Sequence, residues 1–150
     1  MYGITKTFKF EAAHRLFTMP QDHPCRNIHG HSYVVKVSIW IEDIKQMENP
    51  NMVIDFGKLK VFQKQLDEFF DHALILHEDD PLYDIVKDHV CKIMKMPFKL
   101  DVTAENMAYL FANSINASCK EYGIKSGQIQ VEVAETVGNT ASYIREIGVM

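Results

Sequence analysis

The chain has 150 residues, 47% of them apolar and 24% charged, with a formal net charge of -4, which is the size and composition of one folded domain with its own core rather than a disordered chain. The acidic balance argues against a general nucleic-acid or membrane-surface binder, since those carry a basic excess, and no apolar run approaches the roughly 18 residues needed to span a bilayer. Three cysteines at unrelated spacings (Cys25, Cys91, Cys119) and an opening segment, Met1 to Phe10, without an apolar signal-type run predict no disulfide framework and a reducing, cytoplasmic setting.

Thr5 to Phe10 alternates polar and aromatic residues, the period of a half-buried strand. From Ser32 to Ile41 the alternation is cleaner. Tyr33, Val35, Val37, Ile39 and Ile41 share one face, and Ser32, Lys36 and Ser38 share the other, with Trp40 as a large apolar exception. These two strands read as antiparallel neighbours joined by an irregular loop from about Arg15 to Asn27. Asp55 is a helix cap followed by Phe56, Leu59, Phe62, Leu66 and Phe69 at helical spacing, ending near Asp71 and His72. Asp80-Pro81 opens a second helical pattern through Leu82, Ile85, Val86, Val90 and Ile93, stopped by Pro97. Thr103 begins a third, with Met107, Leu110, Phe111 and Ile115 on one face, ending before Gly123. Gln128 to Glu135 alternates again as a strand, and Ala141 to Ile147 reads as a last one. No repeat or linker divides the chain, so residues 1–150 read as a single domain. The order predicts an α+β fold, with a four-stranded, mainly antiparallel sheet covered by helices on one side. Such a sheet leaves edges to manage, and oligomerisation is one remedy.

The chemistry concentrates in Cys25-Arg26-Asn27-Ile28-His29-Gly30-His31. His29 and His31 are two apart at a strand start, so both imidazoles point the same way, in phase with the apolar Tyr33 and Val35. Histidines at the mouth of an apolar face are costly to leave unpaired, and the glycine between them leaves room for close approach. His14, at the end of the first strand, sits beside them if the two strands pair. Three neutral imidazoles suit zinc and leave a fourth position open, as in catalytic sites; Cys25 as a fourth ligand would instead close the shell and make the site structural. Spacing alone leaves both readings open. Glu135 keeps the parity of Ile129, Val131 and Val133, which puts a carboxylate at the end of an inward face, where it needs donors.

Phe10-Glu11-Ala12-Ala13-His14-Arg15-Leu16, then Cys25-x-x-x-His29-Gly30-His31-Ser32-Tyr33, resembles the 6-pyruvoyl-tetrahydropterin synthase and 6-carboxy-tetrahydropterin synthase family. The resemblance continues through Ile54-Asp55-Phe56-x-x-Leu59-Lys60, Asp71-His72, Thr103-x-Glu105-Asn106 and Val133-Ala134-Glu135-Thr136. It implies zinc held by His14, His29 and His31, with Cys25 as proton acceptor and Asp71-His72 as its acid/base counterpart. It makes Glu135 the pterin anchor and a member of the proton relay, with Thr103 and Glu105 lining the pterin pocket. It implies the tunnelling or T-fold, whose subunits join their sheets into a barrel, usually as a homohexamer with active sites between subunits. The substrate it implies is a pterin triphosphate, 7,8-dihydroneopterin triphosphate. The three residues between Cys25 and His29 resemble the carboxy-forming branch, which releases acetaldehyde, rather than the pyruvoyl-forming one. The stretch from Leu76 to Lys99 departs from the family pattern. It is longer than expected, lacks the usual asparagine after Asp-His, and carries the acidic run Glu78-Asp79-Asp80. Arg15, Arg26 and Lys36 are the candidates for holding the triphosphate.

Overall fold

The computed structural model describes residues 1–47 and 49–148. Strand β1 (Tyr2–His14) pairs antiparallel with β2 (His29–Ile41) over its full length, from Tyr2 opposite Ile41 to His14 opposite His29. Both strands are longer than their alternation suggests. A helical stretch follows, capped by the Asp55 carboxylate on the Gly57 amide. It runs as a 3-10 turn (Phe56–Leu59), helix α1 (Lys60–Gln65) and a π-type turn (Leu66–Phe70). Then come β3 (Ala73–His77), the short helix α2 (Leu82–Val86), β4 (Ile93–Met96), the long helix α3 (Ala104–Glu121), β5 (Gln128–Thr136) and β6 (Asn139–Glu146).

The sheet has six strands, ordered β4-β3-β1-β2-β5-β6, which corrects the expected four. β3 pairs parallel with β1, and β4 parallel with β3, so the sheet is mixed. One added strand, β3, falls where the sequence pattern predicts no element, and the other, β4, falls at the end of an expected helix. Ala73-Leu74-Ile75-Leu76 is an unbroken apolar run buried on both faces, the signature of a parallel strand rather than an alternating one. The helix expected from Pro81 to about Ile93 stops at Val86, and Ile93 opens β4 instead. The third helix is capped as expected, with Thr103 Oγ1 accepting from the Asn106 amide.

Even-numbered residues of β1 and odd-numbered residues of β2 and β5 face α3 and the helical stretch. There Phe10 stacks on Tyr33 (4.7 Å between ring centres), and Phe111 of α3 meets Phe10, Phe62 and Phe70 edge-on. The other face carries Lys9, Glu11, Ser32 and Lys36, and the edges of the six-stranded sheet are β4 and β6. No helix among the described residues is long and apolar enough to cross a membrane.

The aromatic cluster is the joint between α3 and the strands that carry the histidines. Phe111, 2% exposed, is its common member. Phe111→Ala is expected to cost about 3–5 kcal/mol through lost transfer energy and a residual cavity, measured as a shift of the urea unfolding midpoint at unchanged slope.

Candidate metal centre and the cavities beside it

Because β1 and β2 pair with His14 opposite His29 and Ala12 opposite His31, all three imidazoles emerge on the helix-covered face. One ligand atom from each lies within 4.8 Å of the other two. His14 Nδ1 donates to the Val102 carbonyl at 2.7 Å, and His29 Nδ1 donates to the Asn27 carbonyl at 2.7 Å. A carbonyl only accepts, so each Nδ1 carries the proton and each Nε2 keeps its lone pair. Those two Nε2 atoms face each other at 3.1 Å. Two lone pairs cannot bond to each other, so the arrangement asks for a cation between them. His31 Nε2 is buried and has no hydrogen-bond partner. Burial depresses the His14 pKa to about 4, against the opposing pull of the Val102 carbonyl and with help from His29 and His31; the ring is therefore neutral at pH 7. Tetrahedral zinc with Zn–N bonds of ~2.05 Å holds its ligand nitrogens ~3.3 Å apart. The residues present fit such an ion.

The cluster contains neither Cys25 nor a carboxylate. Cys25 is a free, partly buried thiol on the 3-10 turn Pro24–Arg26. That turn is fastened to the end of β1: the Leu16 amide donates to the Cys25 carbonyl (2.8 Å), and the Arg26 guanidinium donates to the Phe17 and Met19 carbonyls (2.6 and 2.7 Å). His23 caps the turn, its Nδ1 accepting from the Cys25 amide, which makes it a local structural residue. Gly30 has more room than its motif suggests, since an added Cβ would meet only the Ala12 carbonyl at 3.4 Å, an ordinary contact.

Glu135 stands beside the cluster, Oε1 4.0 Å from His14 Nε2. It occupies a bulge, because Ala134 pairs with Thr140 and Thr136 with Asn139, leaving Glu135 as the extra residue. A bulge re-aims a side chain. Glu135 lines a cavity of about 520 Å³ together with Thr103, Glu105, Leu16 and Thr140. The structure thus brings the three sequence-predicted pocket residues around one space.

Asp71 and His72 lie elsewhere. Asp71 Oδ2 accepts from His72 Nδ1 at 2.7 Å, and its other oxygen accepts from the Glu11 amide at 2.9 Å. That amide bond, more than the His72 contact, holds the Asp71 carboxyl below its ordinary range. His72 has a left-handed backbone (φ 58°), uncommon for a residue with a side chain, and its side chain is 79% exposed. It borders a larger cavity, about 660 Å³, with Glu11, Ser32, Leu74 and Val86 of α2; Gly30 and His31 of β2 also border it.

Two of the three triphosphate candidates are engaged. Arg26 is spent on the loop carbonyls. Arg15 makes a two-pronged ion pair with Asp80, Nε to Oδ2 at 2.8 Å. Lys36 lines a third cavity with Glu132 and Thr136. The partner of Arg15 was invisible in the sequence, where Asp80 is one of three adjacent acids. His77, by contrast, is a satisfied buried histidine, bonded to the Lys99 carbonyl and the Asp79 amide.

Asp80 has a fully buried side chain. Burial would raise its pKa, but the Arg15 bonds and the Leu82 amide outweigh that and leave it depressed. A depressed carboxyl stabilises the fold above its unfolded pKa and loses that contribution as pH falls through the folded value. Asp80→Asn is therefore expected to cost about 3 kcal/mol at pH 7 by leaving Arg15 unpaired. The gap from the parent chain should narrow only below pH ~4, in urea titrations run across that range.

A profile for the family described as 6-pyruvoyl tetrahydropterin synthase matches residues 3–146. The chain is 32% identical over 163 aligned positions to the 6-carboxy-5,6,7,8-tetrahydropterin synthase of Aquifex aeolicus, covering 97% of this chain and 99% of that protein. It is 36% identical to the protein of the same name from Rickettsia felis, over 77% of this chain and 80% of that one. Among solved structures it is similar to an uncharacterized protein of Wolinella succinogenes (TM-score 0.73, 22% identity, 95% and 97% of the two chains). It is also similar to 6-pyruvoyl tetrahydropterin synthase from Plasmodium vivax (TM-score 0.66, 19% identity, 98% and 100%). At these identities the structures speak for the fold.

Proposed function

The chain belongs to the 6-pyruvoyl tetrahydropterin synthase family, and we propose that it converts 7,8-dihydroneopterin triphosphate to 6-carboxy-5,6,7,8-tetrahydropterin, releasing acetaldehyde and triphosphate, with zinc held by His14, His29 and His31. The observation that carries the reading is the convergence of three imidazole nitrogens, two with their tautomers fixed by backbone carbonyls and one buried without a partner. Among the described residues no cysteine or carboxylate completes the cluster, which leaves a coordination position for substrate. The names of the Aquifex and Rickettsia relatives support the carboxy-forming branch. So does the three-residue spacing between Cys25 and His29.

His14, His29 and His31 would hold the zinc, which when bound would supply Lewis-acid polarisation of a substrate oxygen and so acidify the adjacent C–H. Cys25, on its fastened turn, accepts a proton. The Glu135 carboxylate takes the pterin's amino group and ring N–H as paired donors, within the cavity walled by Thr103 and Glu105. His72, oriented by Asp71, returns or removes a proton at a second position. His72 is largely exposed and outside the histidine cluster, so we assign it to the cluster of a neighbouring chain in a homo-oligomer, a hexamer by family habit. Glu135, as the carboxylate nearest the cluster, also belongs to the proton relay.

Zinc content and products test this reading. The zinc-loaded protein, given 7,8-dihydroneopterin triphosphate, should yield 6-carboxytetrahydropterin and equimolar acetaldehyde; pyruvoyl-tetrahydropterin without acetaldehyde would move the chain to the sister branch. His31→Ala should lose most of its zinc, whereas Cys25→Ala should keep zinc and lose turnover by roughly 100-fold or more. Metal lost in step with activity in Cys25→Ala would instead favour a closed, structural site.

Sharing of the site between chains has its own signature. Cys25→Ala and His72→Ala, each inactive alone, should regain part of the parental rate when dissociated and reassembled together, because some mixed sites then hold both intact residues. No regain despite light scattering that shows mixed oligomers would place His72 in its own chain's site.

A further inference from the structure

Among the described residues, two buried side-chain polar atoms lack a hydrogen-bond partner: His31 Nε2 and the Tyr33 hydroxyl. Both belong to alternate residues of β2, on the face that carries the metal cluster. A metal ion accounts for the first. Nothing in the proposed chemistry accounts for the second. Tyr33 is 0% exposed. Its ring is stacked on Phe10 and stands edge-on to His31 and His14, at 5.4 and 6.1 Å between centres. A buried phenol without an acceptor is worse for the fold than a phenylalanine of the same shape, because the hydroxyl has left water and gained nothing. Such a group points to a partner that comes within reach when the site is occupied.

The sheet register names that partner. Val35 pairs with Val133 and Val34 with Ala134; Tyr33 and Glu135 are the next residues along the two strands, on the same face. A phenol keeps its proton at neutral pH, its ordinary pKa being about 10, so it is a donor there. Glu135 meanwhile lies 4.0 Å from His14 Nε2, close enough to be drawn to a cation there. A carboxylate that joined the metal shell would fill the open position and abandon the pterin.

We infer that Tyr33 is a positioning residue for Glu135: in the occupied site its O–H donates to the Glu135 carboxylate and holds it toward the pterin and away from the metal. This rests on the reading of Glu135 as the pterin anchor. The test is a double-mutant cycle with neopterin as the fluorescent probe on zinc-loaded protein. Tyr33→Phe should keep its zinc and melt no lower than the parent, yet bind neopterin about tenfold more weakly, the effect of losing one hydrogen bond to a charged group. Adding Tyr33→Phe to Glu135→Gln should weaken binding by much less than tenfold, since the neutral amide oxygen that replaces the carboxylate is a weaker acceptor for the phenol. Parental affinity in Tyr33→Phe overturns the inference. So does a tenfold loss that repeats in the Glu135→Gln background, which would put the phenol directly on the ligand. Parental affinity in Glu135→Gln alone overturns the anchor reading, and the inference with it.

Discussion

The whole centre hangs on one register. β1 and β2 pair so that His14 falls opposite His29, and everything the site does follows from that juxtaposition. Because side chains alternate along a strand, a slip of one residue would turn the imidazoles of one strand to the opposite face of the sheet. The register is held by the alternating apolar rows behind it, Phe8 and Phe10 against Tyr33, Val35 and Val37, all buried. The hydrophobic pattern that makes the sheet fold is therefore the same pattern that places the ligands. α3 completes the arrangement from the other side, through Phe111 against Phe10 and through the Val102 carbonyl, two residues before its first turn, on His14.

Burial and hydrogen bonding act together on the three rings. His14 is kept neutral chiefly by burial, and its proton is kept on Nδ1 by a carbonyl. His29 has the same lock from Asn27. Pre-setting the tautomer means that binding a cation need not first rearrange a proton, and the orienting partners raise the basicity of the free nitrogen. The 3.1 Å approach of two lone pairs is unfavourable without a cation between them, so part of what a metal would contribute is relief of that contact. Site and stability are in tension here, as they commonly are where a fold concentrates polar groups for chemistry.

Much of this was legible in the sequence. The alternation in Ser32 to Ile41 carried the face assignment of His29, His31 and Tyr33 correctly, and the capping residues Asp55 and Thr103 were placed by their chemistry. Glu135 read as an inward carboxylate from parity alone, although the bulge that aims it has no signature in one sequence. What could not be read was whatever depends on distant pairing. Leu74 and Leu76 are buried on the face opposite Ile75, and an apolar run without alternation does not say whether it is helix or strand. Hence β3 and β4 were missed, and with them the sheet's true width. The same blindness hid Asp80 as the partner of Arg15, and the hydroxyl of Tyr33, which reads as one more aromatic in an apolar row.

The segment that departs from the family pattern, residues 76 to 99, is tied both to the histidine cluster and to the Asp71-His72 corner. Asp80 holds Arg15, the residue that follows His14 of the cluster. Lys92 donates to the carbonyls of Asp67 and Asp71, at 2.6 and 2.7 Å, where the helical stretch ends and the Asp71-His72 corner begins. The Leu74 amide, just past that corner, donates to the Lys92 carbonyl. His77 in turn bonds Lys99 and packs its ring against Phe17 of the Cys25 loop, 4.9 Å between centres. A surface insertion that merely lengthened a loop would be free to move, at little thermodynamic cost. This one is fastened at three points, by a buried ion pair, a lysine that caps two orphan carbonyls and a satisfied histidine. A change in its sequence therefore reaches His14 of the cluster and the Asp71-His72 corner through the backbone, without touching either side chain.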